Sequence, residues 1–218
     1  EYSDFDKYLN FHNYKFKSES NEYGGYVILK NKNFIISADL GSSPEKKFSD
    51  DYQSGALSLE IFYNNCKLIS NCGYFQNHKH QLNSISKSSA THSTLILDNQ
   101  SSCKFKKDSD NILKIDQNLK IFKKSIICEK KYWSFVGAHE GYLKEYGLIH
   151  ERKLEFFFDK NKFLGTDKLI KKKKFKSSNF EIRFHFEPGV KVTKTQDGKS
   201  ILIELENSGW KFSCKNHK

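Results

Sequence analysis

The chain has 218 residues, the size of one large domain, and a single all-β sandwich can use the whole length. Its formal net charge of +11 points toward anionic partners, and no apolar run reaches the length of a membrane span. Methionine is absent even at position 1, so the chain is expected to begin inside a longer product.

Part of the charge is compositional, because lysine, asparagine, isoleucine and phenylalanine are all abundant. The one dense basic run, 171–174, is short enough to be a solvated turn. No recognised nucleic-acid motif accompanies it, so nucleic acid is disfavoured as a partner and an acidic polysaccharide suits the charge equally well. The five cysteines, Cys66, Cys72, Cys103, Cys128 and Cys214, are odd in number and contain no Cys-x-x-Cys pair. That argues against a zinc ribbon or a thioredoxin-like site. They are read chiefly as small buried hydrophobes, with one disulfide left open and the compartment therefore unsettled.

Residues 1–22 are aromatic, polar and aperiodic, and are read as a connection from an upstream domain; 23–218 form the domain itself. Two short strands, 26–29 and 34–39, flank an Asn-Lys-Asn turn. A second pair, 56–63 and 67–71, flanks Asn64-Asn65, a dipeptide that tolerates positive φ. A long polar loop, 73–90, precedes a short alternating strand at 94–98. Loops this long inside a compact domain are often functional. Strands are then predicted at 112–115, 119–123, 125–128, 132–138, 146–158, 163–170, 180–187, 190–195, 200–205 and 210–214. Asp197-Gly198 marks a hairpin. No segment shows a sustained helical period. Many short strands at regular spacing predict an all-β fold, a large antiparallel two-sheet sandwich.

Several polar side chains stand out on this frame. His92 sits where small hydroxyl residues give way to a strand, a position that a rigid sheet can hold while the ring reaches a ligand or bonds a neighbouring loop. His139 lies at a strand end, at a cleft rim or in a stabilised turn. His150 and Arg152 share a two-residue period with Leu148 and Leu154, a core-like face on which a satisfied buried pair is expected. Arg183 and His185 alternate with Ile182, Phe184 and Phe186, and are read as a solvated or inter-sheet network. Arg152 and Arg183 are the two arginines of the chain, against a large excess of lysine. A planar fork is what lysine cannot supply, so both are expected to make geometry-specific, structural contacts, and replacement by lysine to lower thermal stability. No phosphate loop, nucleophile elbow or His-Glu-x-x-His helix is present.

Four stretches in order resemble the C-terminal sandwich of the heparinase II/III-like polysaccharide lyases. They are Gly25-Tyr26-Val27-Ile28-Leu29 with Asp39-Leu40-Gly41; Gln53-Ser54-Gly55-Ala56-Leu57-Ser58 with Asn71-Cys72-Gly73; Ala90-Thr91-His92-Ser93-Thr94; and His139-Glu140-Gly141-Tyr142 with His150-Glu151-Arg152, followed by Arg183-Phe184-His185. The resemblance implies a sandwich that follows an α/α toroid and, with it, cleaves uronate-containing glycans by β-elimination. That chemistry needs a group to neutralise the carboxylate, a base, and an acid for the leaving oxygen. The resemblance places the catalytic tyrosine in the toroid and a histidine on the sandwich, and some members hold a structural metal through nearby His and Asp. Here Gln53 stands at the histidine position and Asn71 at the metal-ligand aspartate, while His92 is kept. Glutamine is no base at neutral pH, and a Gln/Asn/His set suits zinc poorly.

The resemblance therefore implies His92 as the catalytic candidate and Gln53, Asn71 and His139 as substrate-binding candidates. His150, Arg152, Arg183 and His185 are structural polar groups. No metal ligand set is assigned, although a structural zinc or calcium ion stays open. The leading expectation is one wall of a lyase cleft for an acidic polysaccharide, with the upstream toroid as partner. A non-catalytic carbohydrate-binding or cell-envelope module on the same fold is the alternative. A basic nucleic-acid binder is the third. A periplasmic or cell-envelope location follows from the resemblance, with the cytoplasm still open.

Overall fold

The computed structural model describes residues 4, 7–8, 11–12, 21–174, 178–205 and 208–215. The connection expected over 1–22 lies largely outside them. In chain order the strands are β1 (Glu22–Tyr23), β2 (Tyr26–Lys30), β3 (Phe34–Asp39), β4 (Leu59–Tyr63), β5 (Cys66–Ser70), β6 (Leu95–Leu97), β7 (Phe105–Lys107), β8 (Leu113–Ile115) and β9 (Ile121–Cys128). They continue as β10 (Tyr132–His139), β11 (Leu148–Phe157), β12 (Lys162–Lys171), β13 (Phe180–Ile182), β14 (His185–Phe186), β15 (Lys191–Lys194), β16 (Ser200–Leu205) and β17 (Ser208–Ser213). Two short helices, α1 (Gln81–Ser86) and α2 (Leu143–Tyr146), interrupt them.

Among the described residues all the strand pairings are antiparallel. One sheet has the order β1-β2-β3-β4-β5-β14 and the other β12-β11-β10-β9, with β13-β6, β15-β16-β17 and β7-β8 as smaller sheets. The main core lies between the two large sheets. Val27, Leu29, Phe34, Ile36, Ala38 and Ile61 of one meet Trp133, Phe135, Leu154 and Phe156 of the other. Alternation along β3, whose residues are in turn buried and half-buried, is what directs one face inward. At the end of the core, Phe156 stacks on Phe163 with centroids 4.2 Å apart and meets the Phe34 ring edge-on at 4.6 Å. Among the described residues no helix is long and apolar enough to cross a membrane.

A close approach explains the Gly25…Asp39-x-Gly41 pattern. Gly25 has φ +91°, and a Cβ there would stand 2.6 Å from the Gly41 Cα. Asp39 then closes the turn by accepting the Gly41 N–H at 2.9 Å.

Several predicted elements differ in detail. The loop predicted over 73–90 contains α1, six residues long and so too short to show a period; the His80 ring caps it by accepting the Leu82 N–H at 3.1 Å. The strands predicted at 119–123 and 125–128 are one strand, β9, in which Lys123 takes φ 58° beside a register shift against β10. β11 starts at Leu148 because Tyr146 ends α2 and Gly147 turns left-handed at φ 72°. The strand predicted at 180–187 divides: β13 pairs with β6, and β14 pairs with β5. Cysteines were expected to be buried, yet Cys66, Cys72, Cys128 and Cys214 are exposed, and Cys103 alone lies in the core. Exposed turns and strand ends carry them, and cysteine content says nothing about which turns those are.

Candidate functional site

Four segments meet at one end of the first sheet: the turn at 53–58, the β5 exit at 71–73, the stretch 86–93, and the bridge 183–185 between β13 and β14. Gln53 donates through Nε2 to the Gly73 carbonyl at 2.7 Å. Asn71 accepts the Ser93 N–H on Oδ1 at 2.8 Å, and its own N–H donates to Glu60 Oε1 at 3.0 Å. Cys72 N–H bonds the Thr91 carbonyl at 3.1 Å. From the other side, Arg183 Nη1 donates to the Ala90 carbonyl at 3.2 Å, and His185 Nε2 lies 3.1 Å from the same oxygen. The Arg183 guanidinium is held in turn by Glu181 at 2.9 and 3.0 Å. Gln53, Asn71, Arg183 and His185 are half-buried, while Cys72 and Gly73 are exposed.

His92 lies behind this surface, with 3% of its area exposed. Its Nε2 is 3.2 Å from the Ser86 carbonyl, a contact that needs the N–H on Nε2. Burial pushes its pKa down to about 4 against a smaller upward pull from that carbonyl, so the ring is neutral at physiological pH. Gly55 backs onto the ring; a Cβ there would stand 3.4 Å from Nδ1.

His139 is not at a rim. It is fully buried and begins a polar layer inside the sandwich. Gly141 N–H donates to His139 Nδ1 at 3.1 Å. That leaves the proton on Nε2, which faces His150 Nδ1 at 3.2 Å. His150 in turn carries its proton on Nε2, 2.7 Å from Asp167 Oδ1. Arg152 grips the same carboxylate with Nε at 2.7 Å and Nη2 at 3.1 Å, and its Nη1 reaches the Leu57 and Ser93 carbonyls at 2.9 and 2.7 Å. Burial depresses both histidines, and Arg152 adds to it in each; the Asp167 carboxylate opposes this at His150. Burial alone would raise Asp167, but the Arg152 guanidinium and the His150 hydrogen bond outweigh it and hold the carboxyl well below the usual range. The layer thus holds one buried ion pair and two neutral rings. A second apolar cluster of Leu95, Leu97, Tyr142, Tyr146 and Leu148 adjoins it, with the Tyr142 ring 5.5 Å from that of His139.

Sequence reading missed two members of this region. Asp167 pairs in register with Arg152 across β11 and β12; an aspartate between Gly165 and Leu169 on one strand face was the available signal. Lys87 had none. It is 1% exposed, and its ammonium donates to the carbonyls of Leu113 at 3.1 Å, Tyr52 at 3.3 Å, Ser49 at 3.4 Å and Asp50. Its own carbonyl accepts the Ser54 N–H at 2.9 Å, so the segment that delivers Gln53 is wrapped around Lys87.

The metal that the resemblance allows does not fit these residues. Gln53 and Asn71 present neutral amides already engaged with backbone, and among the described residues no three His, Cys, Asp or Glu side chains converge as a ligand set.

The sequence profile "Heparinase II/III-like, C-terminal" matches residues 15–218, and the chain belongs to that family. No curated protein matches the sequence. Among solved structures, heparan sulfate lyase HepC from Pedobacter heparinus superposes with a TM-score of 0.66 at 15% identity, over 94% of this chain and 32% of that one. A heparinase III gives 0.61 at 17% identity, over 93% and 33%. A second heparinase III, the BT4657 gene product with methylated lysines, gives 0.62 at 15% identity, over 84% and 26%. The chain therefore spans about a third of the length of the proteins it resembles, and at these identities the likeness is one of fold.

Proposed function

We propose that this chain is the C-terminal sandwich of a polysaccharide lyase that cleaves uronate-containing acidic glycans by β-elimination, and that the Gln53/Asn71/His92 end of the first sheet forms one wall of the substrate cleft. The observation that carries this reading is the convergence of Asn71, Arg183 and His185 on the 86–93 stretch that holds His92, with Gln53 bonded to the adjoining β5 exit at Gly73. Side chains far apart in sequence form one half-exposed polar surface, the kind of wall along which a hydroxylated, charged chain can lie. An excess of lysine over acidic residues across the domain favours an anionic glycan in the same direction.

On this reading the wall orients the sugar and helps to hold its carboxylate, while an upstream α/α toroid supplies most of the acid and base. His92 contributes a neutral imidazole that holds the wall from behind through the Ser86 carbonyl. On the same reading the periplasm or cell envelope, where polysaccharide arrives, is the proposed location.

The second reading is a carbohydrate-binding module without lyase chemistry. Its support is specific: Gln53 and Asn71 exchange no protons, and His92 is almost wholly covered. The test is the complete protein mixed with a panel of uronate polysaccharides, followed by the ultraviolet absorbance of the unsaturated uronate that elimination creates. A rise that disappears in His92→Ala while the folded fraction is retained supports the lyase. Binding on the same panel without any rise selects the module.

A further inference from the structure

We infer that the position at which this family can carry a metal is, in this protein, a metal-independent clasp of direct hydrogen bonds. The three side chains concerned are Gln53, Asn71 and His92. A divalent ion there would cross-link three loops through its coordination shell. Here Gln53 and Asn71 cross to the backbone of other segments instead, and His92 closes its own stretch.

Gln53 ties the 53–58 turn to the β5 exit through the Gly73 carbonyl at 2.7 Å. Asn71 ties the β5 exit to the 86–93 stretch through the Ser93 N–H at 2.8 Å. His92 ties that stretch back on itself through the Ser86 carbonyl at 3.2 Å. The 53–73 and 71–93 links are closed into a circuit by the Ser54 N–H on the Lys87 carbonyl at 2.9 Å, with the His92 ring lying against Gly55. The Asn71 Oδ1, the amide oxygen that would face a metal, is spent on the Ser93 N–H, and Gln53 and His92 are held to backbone through their Nε2 donors. An amide also binds zinc far more weakly than the imidazole or carboxylate it stands for.

One soft ligand lies close by. The Cys72 Sγ is 3.7 Å from the Ser86 carbonyl that also receives His92. A thiol and one ring make two donors, short of the three protein ligands that zinc sites ordinarily need.

A second, separate cation substitute supports the same construction. The Lys87 ammonium sits among four backbone carbonyls, from Ser49, Asp50, Tyr52 and Leu113. It fixes the chain that enters Gln53 by a charge carried within the protein.

This inference concerns how the wall is held and stands whether or not the wall is catalytic. Its test uses the protein as it is, dialysed against a chelator and then against excess zinc. The melting temperature is expected to stay the same in both, with no zinc retained on desalting. A drop of several degrees after chelation, or zinc retained at one per chain, overturns the inference. Hydrogen exchange then reads the clasp itself. In Asn71→Leu, which keeps the branched shape and removes the accepting oxygen, the Ser93 amide is expected to exchange roughly ten-fold faster. Amides of the β10 and β11 ladder should keep their protection. Unchanged protection at Ser93 overturns the clasp. The chelation result reads the wild type, so it decides the metal question even if that variant folds poorly.

Discussion

Replacing Arg152 by lysine keeps the charge and removes the geometry, which makes it the sharpest probe of the polar layer. The guanidinium makes four bonds in two opposed directions. Nε and Nη2 hold the two Asp167 oxygens at 2.7 and 3.1 Å, and Nη1 holds the Leu57 and Ser93 carbonyls at 2.9 and 2.7 Å. A lysine ammonium is a single point on a flexible stem. Placed against the carboxylate, it abandons both carbonyls; placed between the carbonyls, it leaves Asp167 charged and buried with His150 alone. Either way about two charge-assisted bonds are lost, at about 1.5 kcal/mol each, for a total of about 3 kcal/mol. Domains of this kind have a net stability of about 5–15 kcal/mol, so the loss is a large fraction of the whole. For a chain of this length it corresponds to a melting temperature lower by roughly 6–12 °C. Calorimetry or circular dichroism on the wild type and Arg152→Lys measures it directly. A melting temperature within about 2 °C of the wild type would refute the reasoning, because it would mean that the bonds carry no net stability.

Arg183→Lys should cost much less, about 0.5–1 kcal/mol, because the Arg183 side chain is one-third exposed and lysine can keep one contact to Glu181; a loss equal to that of Arg152→Lys would contradict the difference in burial. Stability should also fall as pH drops from 6.5 toward 4. His92 in the fold has its pKa near 4, so across that window the unfolded chain takes up a proton that the fold refuses. His92 alone contributes about 3 kcal/mol to this decline, His139 and His150 add to it, and His92→Gln should flatten the slope in urea unfolding measured at several pH values. The Asp167 contribution has the same sign at lower pH: its depressed carboxyl stabilises the fold fully above about pH 5, and that stability is lost as pH falls further. Lys87→Met strands four carbonyls around an apolar tip and should lower the melting temperature by more than about 5 °C, from at least 2 kcal/mol of lost bonding; an unchanged value would mean that water replaces the ammonium without cost.

Much of the architecture was legible because strands are local patterns. Alternation in 34–39 and in 148–157 announced β3 and β11, and Asp197-Gly198 announced the hairpin between β15 and β16. The polar residues singled out in sequence also fall into two groups in space, the wall and the buried layer. What alternation could not reveal is where a strand changes partner. Residues 180–187 read as one strand because periodicity carries no information about which neighbour each half meets, and they divide between β6 and β5. The same limit hid Asp167 and Lys87, whose roles exist only through residues brought from elsewhere in the chain.

His139 shows the division most clearly. Its place at a strand end and its family motif could be read from the residues alone. Whether that end faced solvent or the interior was set by α2 and by the packing of β11 across it, and those bury the ring against His150. The sequence by itself determined the class of fold, the family, and the replacement of two prospective ligands by amides at Gln53 and Asn71. Only the tertiary structure decided that these amides bond backbone, that His92 is covered and neutral, and that the Arg152–Asp167 pair ties the second sheet to the wall. Residue type and spacing act over a few neighbours along the chain, whereas burial and hydrogen-bond partners depend on segments that are distant in sequence and adjacent only once folded.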